Sequence, residues 1–184
     1  FRCLAVRVYK KMKRKAWIIG ASTGIGAAVA DELNAKGWDV VRSSRTQGDI
    51  RIDVSDDASV VEAANKYEET YGAFDLVLVM AGFWKRMSAK QFDLEIFKEH
   101  NNTNNVGLAR CVAAVLPKMI AQNSGTLIGV SSVAGFRGLP GSSGYGPSKA
   151  AQINFLESLR TDLQQTNVIV QTVSPGFVKT PMTD

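Results

Sequence analysis

The sequence predicts an α/β fold in which a parallel sheet is wound with helices on both faces. Three observations predict it. Short apolar runs of strand length alternate with helical patterns along the chain. Those runs are nearly continuous in apolar residues, as strands buried on both faces require. A glycine cluster, Gly20-Ala21-Ser22-Thr23-Gly24-Ile25-Gly26, joins the first run to the first helical pattern. At 184 residues the chain is long enough for one domain with a sizeable core.

The elements follow in order. Ala16-Trp17-Ile18-Ile19 is the first strand, ended by Gly20. Ala27 to Lys36 reads as a helix that Gly37 closes. Trp38 to Arg42 is the second strand and Ile50 to Val54 the third, with too few residues between them for a helix. An extended loop must make that crossover, although parallel neighbours usually need a dozen residues or more. Ser55 or Asp56 caps a helix running to Tyr71. Phe74 to Met80 is the fourth strand, broken at Ala81-Gly82. Phe92 to His100 and Asn104 to Gln122 read as two helices, Thr126 to Val130 as the fifth strand. Tyr145 to Gln165 is a long helix and Val168 to Val173 the sixth strand.

Composition narrows the class. Hydrophobic residues make up 45% and charged residues 21%, the balance of a soluble globular domain. The formal charge of +5 is concentrated in Arg2, Arg7, Lys10, Lys11, Lys13, Arg14 and Lys15, so it is no nucleic-acid signal. Residues 1–15 are expected to be a basic extension outside the fold, and residues 16–184 the single domain. Met12 reads as a natural start, and residues 1–11 as either a translated upstream stretch or the tail of a targeting segment. Two cysteines, Cys3 and Cys111, form no disulfide framework and suit a reducing compartment, the cytoplasm. No apolar run is long enough to span a membrane. A lone histidine, His100, and the absence of a Cys/His cluster argue against a metal.

Two stretches carry chemistry. Tyr145 and Lys149 stand one helical turn apart on one face. An ammonium beside a phenol favours the phenolate and is expected to lower its pKa toward neutrality, as general acid–base work requires. Ser132, after an apolar run, offers a hydroxyl to a carbonyl oxygen. The glycine cluster lets the backbone turn sharply and lets a pyrophosphate approach the helix N-terminus, with Gly20, Gly24 and Gly26 at its corners. After the second strand, Ser43-Ser44-Arg45 holds no carboxylate to meet a ribose 2′-hydroxyl, while Arg45 offers a fork to a 2′-phosphate. This favours NADP over NAD. Asp53 and Val54 either contact the adenine or simply close a strand. Phe83, Trp84 and Met87 either line a substrate mouth or pack a loop.

In this order the motifs resemble the short-chain dehydrogenase/reductase family, from about Lys15 to Asp184. The resemblance implies a Rossmann fold, three layers α/β/α, with Ser132, Tyr145, Lys149 and Asn104 as a catalytic tetrad. It implies that Tyr145 gives the proton, Ser132 orients the carbonyl, Lys149 also binds the nicotinamide ribose and Asn104 holds a relay water. It places the cofactor against Gly20, Ser22, Thr23, Gly24, Ile25, Gly26, Ser44, Arg45, Asp53, Val54, Ala81 and Gly82. Tyr145, Lys149 and the Pro175, Gly176, Val178 and Thr180 turn complete that set. The family's Asn-Asn-Ala-Gly after strand four is Val79-Met80-Ala81-Gly82 here. The sequence stops just after the Pro-Gly turn, so the expected sheet lacks the family's last strand and helix, and with them most of the substrate pocket.

The expected activity is NADPH-dependent reduction of a ketone or aldehyde, or the reverse. The alternative is a nucleotide-binding regulator or scaffold of the same fold. Ala150, Ile153, Phe155, Leu156 and Leu159 put more apolar positions on the Tyr145 helix than one buried face needs. With the resemblance, this implies a homodimer through the Asn104 and Tyr145 helices.

Overall fold

Six short strands pair into one all-parallel sheet in the order β3-β2-β1-β4-β5-β6. The computed structural model describes residues 14–181. The strands are β1 (Lys15–Ile19), β2 (Asp39–Ser44), β3 (Ile50–Arg51), β4 (Leu76–Val79), β5 (Gly125–Val130) and β6 (Val168–Val173). The helices are α1 (Gly24–Ala35), α2 (Asp57–Tyr71), α3 (Leu94–His100), α4 (Gly107–Gln122) and α5 (Tyr145–Asp162). The strand order reverses at β1, whose neighbours are β2 and β4. A crevice forms at such a reversal, at the carboxyl ends of the strands, and it is where ligands bind.

Strand side chains alternate between two cores. Trp17, Ile19, Val77, Val79, Leu127 and Val170 face one way and are covered by α2, α4 and α5 through residues such as Val60, Tyr67, Leu108, Met119 and Leu156. Ala16, Ile18, Leu76 and Leu78 face the other way and meet α1 through Ala30, Val29 and Leu33. The first core also stacks Trp17, Tyr67 and Phe74, with Tyr67 4.8 Å from each of the other rings. Burying each such aromatic or aliphatic side chain stabilises the fold by about 1.5–3 kcal/mol.

Most element boundaries follow the sequence, and the differences have local causes. Lys15 opens β1 and Arg14 lies over the Trp38 ring, so these two residues belong to the fold rather than to a basic extension. The rest of that expected extension lies outside the described residues. The third strand is only two residues long instead of five. Its continuation is pulled away because the Asp53 amide donates to the Ser59 hydroxyl of α2 at 2.9 Å. Asp56, not Ser55, caps α2, its carboxylate accepting from the Ser59 amide at 2.6 Å. The β2–β3 crossover is a loop without a helix, as the short spacing demands. The largest difference lies between α3 and α4. The chain does not break there: Asn101–Val106 forms a π-helical stretch that joins the two helices into one run. Such widened turns mark functional sites. The Tyr145 helix ends at Asp162, short of Gln165.

Candidate active site

A cleft of about 700 Å³ opens at the reversal of strand order. One side is formed by the turn between β1 and α1. Gly20 takes φ +96° at the end of β1, a value that side chains other than glycine's rarely adopt. A side-chain carbon at Gly26 would run into the Gly20 carbonyl oxygen, so only glycine lets α1 start this close to the strand. Thr23 precedes α1 without a side-chain cap, which leaves the first amides of the helix to face the cleft. Free amides and the helix dipole there suit a pyrophosphate.

Every residue expected to hold the cofactor lines this cleft, from Gly20 and Ser22 through Arg45, Asp53, Val54 and Gly82 to Pro175 and Thr180. The Ser44 hydroxyl, however, is turned into its own loop. It donates to the Gln47 carbonyl at 2.6 Å and accepts from the Gln47 amide at 3.1 Å. Arg45 beside it is exposed. Burial opposes ionisation of Asp53, but bonds from the Ser55 hydroxyl and amide and the charges of Arg45 and Arg110 outweigh it and hold the carboxyl below its usual value. After β4, where the expected asparagines are absent, the Met80 and Ala81 amides both donate to the Ile19 carbonyl.

The other side carries Ser132, Tyr145 and Lys149, the residues expected to react. β5 ends at Val130, and Ser131 and Ser132 follow it into the cleft. Tyr145 opens α5, and Lys149 follows one turn later with its Nζ 5.5 Å from the Tyr145 ring centre. Lys149 is only 4% exposed and donates to the Val130 carbonyl at 2.9 Å. Burial pushes its pKa down to about 7. Burial also raises the Tyr145 pKa, with only the neighbouring Ser132 hydroxyl working the other way. The expected lowering of the phenol by the ammonium is therefore reversed in direction. Desolvation outweighs the Ser132 hydrogen bond in this site.

Asn104 stands behind the cleft rather than in it, with no exposed surface. Its Oδ1 accepts from the Phe83 amide at 2.7 Å, and its Nδ2 donates to the Phe83 carbonyl and to Ser148 Oγ, both at 2.9 Å. Ser148 Oγ in turn donates to the Tyr145 carbonyl at 2.7 Å. In the widened turn the Asn104 carbonyl accepts from Gln152 Nε2 at 2.6 Å. Asn104 is thus wired to both walls of the cleft. Ser148 and Gln152 were not singled out from the sequence. Their signal was present: Tyr145, Ser148, Lys149 and Gln152 fall at i, i+3, i+4 and i+7, a polar stripe on the buried face of a helix. Leu139, Pro140 and Ser142, before α5, also line the cleft. Phe83 and Trp84 line it as well, whereas Met87 is buried in packing. No cluster of metal-ligating side chains exists among the described residues.

The short chain dehydrogenase family profile matches residues 14–184. The chain belongs to the short-chain dehydrogenase family. This dehydrogenase is 36% identical over 187 residues to an uncharacterized oxidoreductase of Myxococcus xanthus, covering 92% of this chain and 74% of that protein. It is 29% identical to the 3-oxoacyl-[acyl-carrier-protein] reductase FabG of Staphylococcus aureus, covering 95% of this chain and 78% of that one. Among solved structures, a serine dehydrogenase complexed with NADP+ superposes with a TM-score of 0.87 at 29% identity, covering 92% of this chain and 75% of that chain. Short-chain dehydrogenases bind NAD or NADP and are oxidoreductases acting on the CH–OH/C=O pair, and this chain is one of them. Among the described residues, no helix of this short-chain dehydrogenase is long and apolar enough to cross a membrane.

Proposed function

We propose that this short-chain dehydrogenase uses NADPH to reduce a ketone or aldehyde, or runs the reverse oxidation. The observation that carries this reading is the convergence of Ser132, Tyr145 and Lys149 on the same cleft as the glycine turn and the start of α1. The residues fit the cofactor: the Gly20–Gly26 approach leaves room for phosphates at the helix start, and Lys149 faces Gly82, 3.7 Å from where its side chain would begin. When bound, the nicotinamide supplies or accepts the hydride.

The protein's own residues do the rest. Ser132 donates a hydrogen bond to the carbonyl oxygen and fixes its direction. Tyr145 gives that oxygen its proton; its raised pKa keeps it protonated at neutral pH, which suits a proton donor. Lys149 serves the ribose side and the phenol. Asn104 holds Phe83 and Ser148 in place, and a relay water is proposed to complete its role.

Preference for NADP is supported by Arg45. It lines the cleft at the end of β2, where no carboxylate stands to repel a 2′-phosphate. Arg45→Ala should weaken NADPH binding several-fold while leaving NADH binding nearly unchanged. Titration of both cofactors by fluorescence checks this, and an equal loss for both would count against it. Ser44 is set aside as the discriminating position, because its hydroxyl is spent on Gln47.

A homodimer through the π-linked α3–α4 run and α5 is proposed as well. Val106 and Ile120 are exposed, and Phe155 and Leu159 are partly so. A sedimentation experiment at micromolar concentration should give twice the chain mass. The proposed setting is the cytoplasm, where a buried Cys111 thiol with its pKa pushed up to about 12 stays inert.

NADPH oxidation measured against a panel of carbonyls tests the whole reading. A protein that bound NADPH and reduced none of them would be the nucleotide-binding regulator instead.

A further inference from the structure

The turn after β4 is held at two points by one helical run. Both the amide and the carbonyl of Phe83 bond to the Asn104 carboxamide, at 2.7 and 2.9 Å. Two residues on, the Lys85 amide donates to His100 Nε2 at 3.1 Å. His100 and Asn104 are one turn apart on the run formed by α3 and its π-helical continuation, and neither has exposed surface. Trp84, between the two held residues, lines the cleft with 38% of its surface exposed.

The His100 ring is fully specified by its surroundings. Nδ1 lies 2.8 Å from the Ile96 carbonyl. A carbonyl only accepts, so Nδ1 carries the proton, and Nε2 is then the acceptor that the Lys85 amide needs. The ring lies 5.0 Å from the Phe83 ring and meets the Tyr145 ring edge-on at 6.1 Å. Gly144, next to Tyr145, has room only for hydrogen: a side-chain carbon there would stand 2.8 Å from His100 Nδ1. One imidazole therefore touches the cleft wall, the helix that holds Asn104 and the start of the Tyr145 helix.

We propose that His100 is a positioning residue that, together with Asn104, fixes the 83–85 turn as a rigid wall and presents the Trp84 indole to the carbonyl end of the cleft. An indole wall there favours carbonyl compounds bearing a flat apolar group, such as aryl aldehydes and ketones. This rests on the reductase reading for what the wall does, but not for how it is held. Burial keeps the imidazole below its usual pKa, against the Ile96 carbonyl and the Glu99 charge, which favour protonation. Tyr145 is the titratable group that meets it from α5. The neutral form thus prevails at neutral pH. Protonation would set a second ring N–H against the Lys85 amide and release the turn.

The sequence holds a single histidine, so its imidazole signals are unambiguous in a 15N NMR spectrum. The expected spectrum is that of the Nδ1–H tautomer, kept below the ordinary imidazole pKa. An Nε2–H tautomer overturns the proposal, and this measurement needs no variant. His100→Phe keeps a ring but no acceptor; His100→Gln keeps an acceptor for the Lys85 amide. Acrylamide quenching of Trp84, read by difference against Trp84→Phe, should rise several-fold in His100→Phe and return toward the parent in His100→Gln, with NADPH affinity unchanged in both. Unchanged quenching in His100→Phe, or equal quenching and equal loss of NADPH affinity in both variants, overturns it. With benzaldehyde and acetaldehyde as probes, Trp84→Ala should raise KM several-fold for the first alone; an equal rise overturns the indole's selective role. If the parent turns over neither aldehyde, the aryl preference falls with them, and the clamp still stands or falls on the tautomer and the quenching.

Discussion

Tyr145→Phe lowers kcat by ~10²–10⁴-fold and leaves the fold and NADPH affinity intact, the loss expected when a general acid is removed. Only one oxygen goes. The ring stays against His100, and the Ser148 hydroxyl still reaches the backbone carbonyl of residue 145. Single-turnover kinetics on a carbonyl that the parent reduces, beside NADPH titration, measure the two halves of this expectation. Near-normal turnover in the variant would make another group the proton donor. Because burial raises the Tyr145 pKa, the parent's reductive rate should hold through neutral pH and fall only on the alkaline side. A fall already at mildly acidic pH would show that some other group controls the step.

Lys149→Met has the second large effect, and it appears in stability as well as in turnover. The Lys149 pKa is about 7 when folded and 10.5 when unfolded. Between those values the folded protein binds fewer protons than the unfolded one. The parent's stability therefore rises as pH climbs from about 7 to 10.5, and is lost on the way down. Methionine carries no charge and removes this dependence. At pH 10 the variant lacks the bond to the Val130 carbonyl, which costs it about 1–3 kcal/mol. As pH falls the comparison swings toward the variant by a few kcal/mol, and near pH 6 the variant is expected to melt higher than the parent. Thermal unfolding of both proteins at these two pH values decides it. A difference in melting temperature that does not change with pH would mean that burial of Lys149 carries no such penalty. Turnover should collapse in the variant at every pH, since the Lys149 amine is lost from the reacting end of the cleft. A residue that weakens the fold while serving the chemistry is a common pattern in enzymes.

What was legible in the sequence was whatever chemistry fixes by spacing along the chain. Gly20, Gly24 and Gly26 could be placed because a sharp turn and a close helix start demand glycine at those positions. Tyr145 and Lys149 could be placed because one helical turn sets their separation. The strands could be placed because burial on both faces leaves continuous apolar runs. What was not legible depended on partners far away in the chain. The Tyr145 pKa moved opposite to expectation because the segments that bury it come from other parts of the chain. The third strand was read too long because a hydroxyl on α2 captures the Asp53 amide. A break was read at residues 101–103, with a new helix from Asn104, because the asparagine-rich stretch is poor in helix formers and shows no apolar period. Its shape is set by Phe83, Ser148 and Gln152, which lie up to 48 residues away. His100 was read only as a lone histidine with no metal-ligating cluster around it. No spacing rule connects a lone histidine to an amide at Lys85.

The place of β1 in the middle of the sheet has a consequence for how the chain comes off the ribosome. Ala16 pairs with Val40 on one side and with Leu76 on the other. The first pairing becomes available early in synthesis. The second waits until α2 and β4 have emerged. Until then β1 offers an unsatisfied backbone edge beside a row of exposed aliphatic side chains, the kind of surface that chaperones bind and that aggregates at high expression. Slowing translation between β2 and β4 should therefore lower the soluble yield, whereas the same delay placed after β5 should matter less.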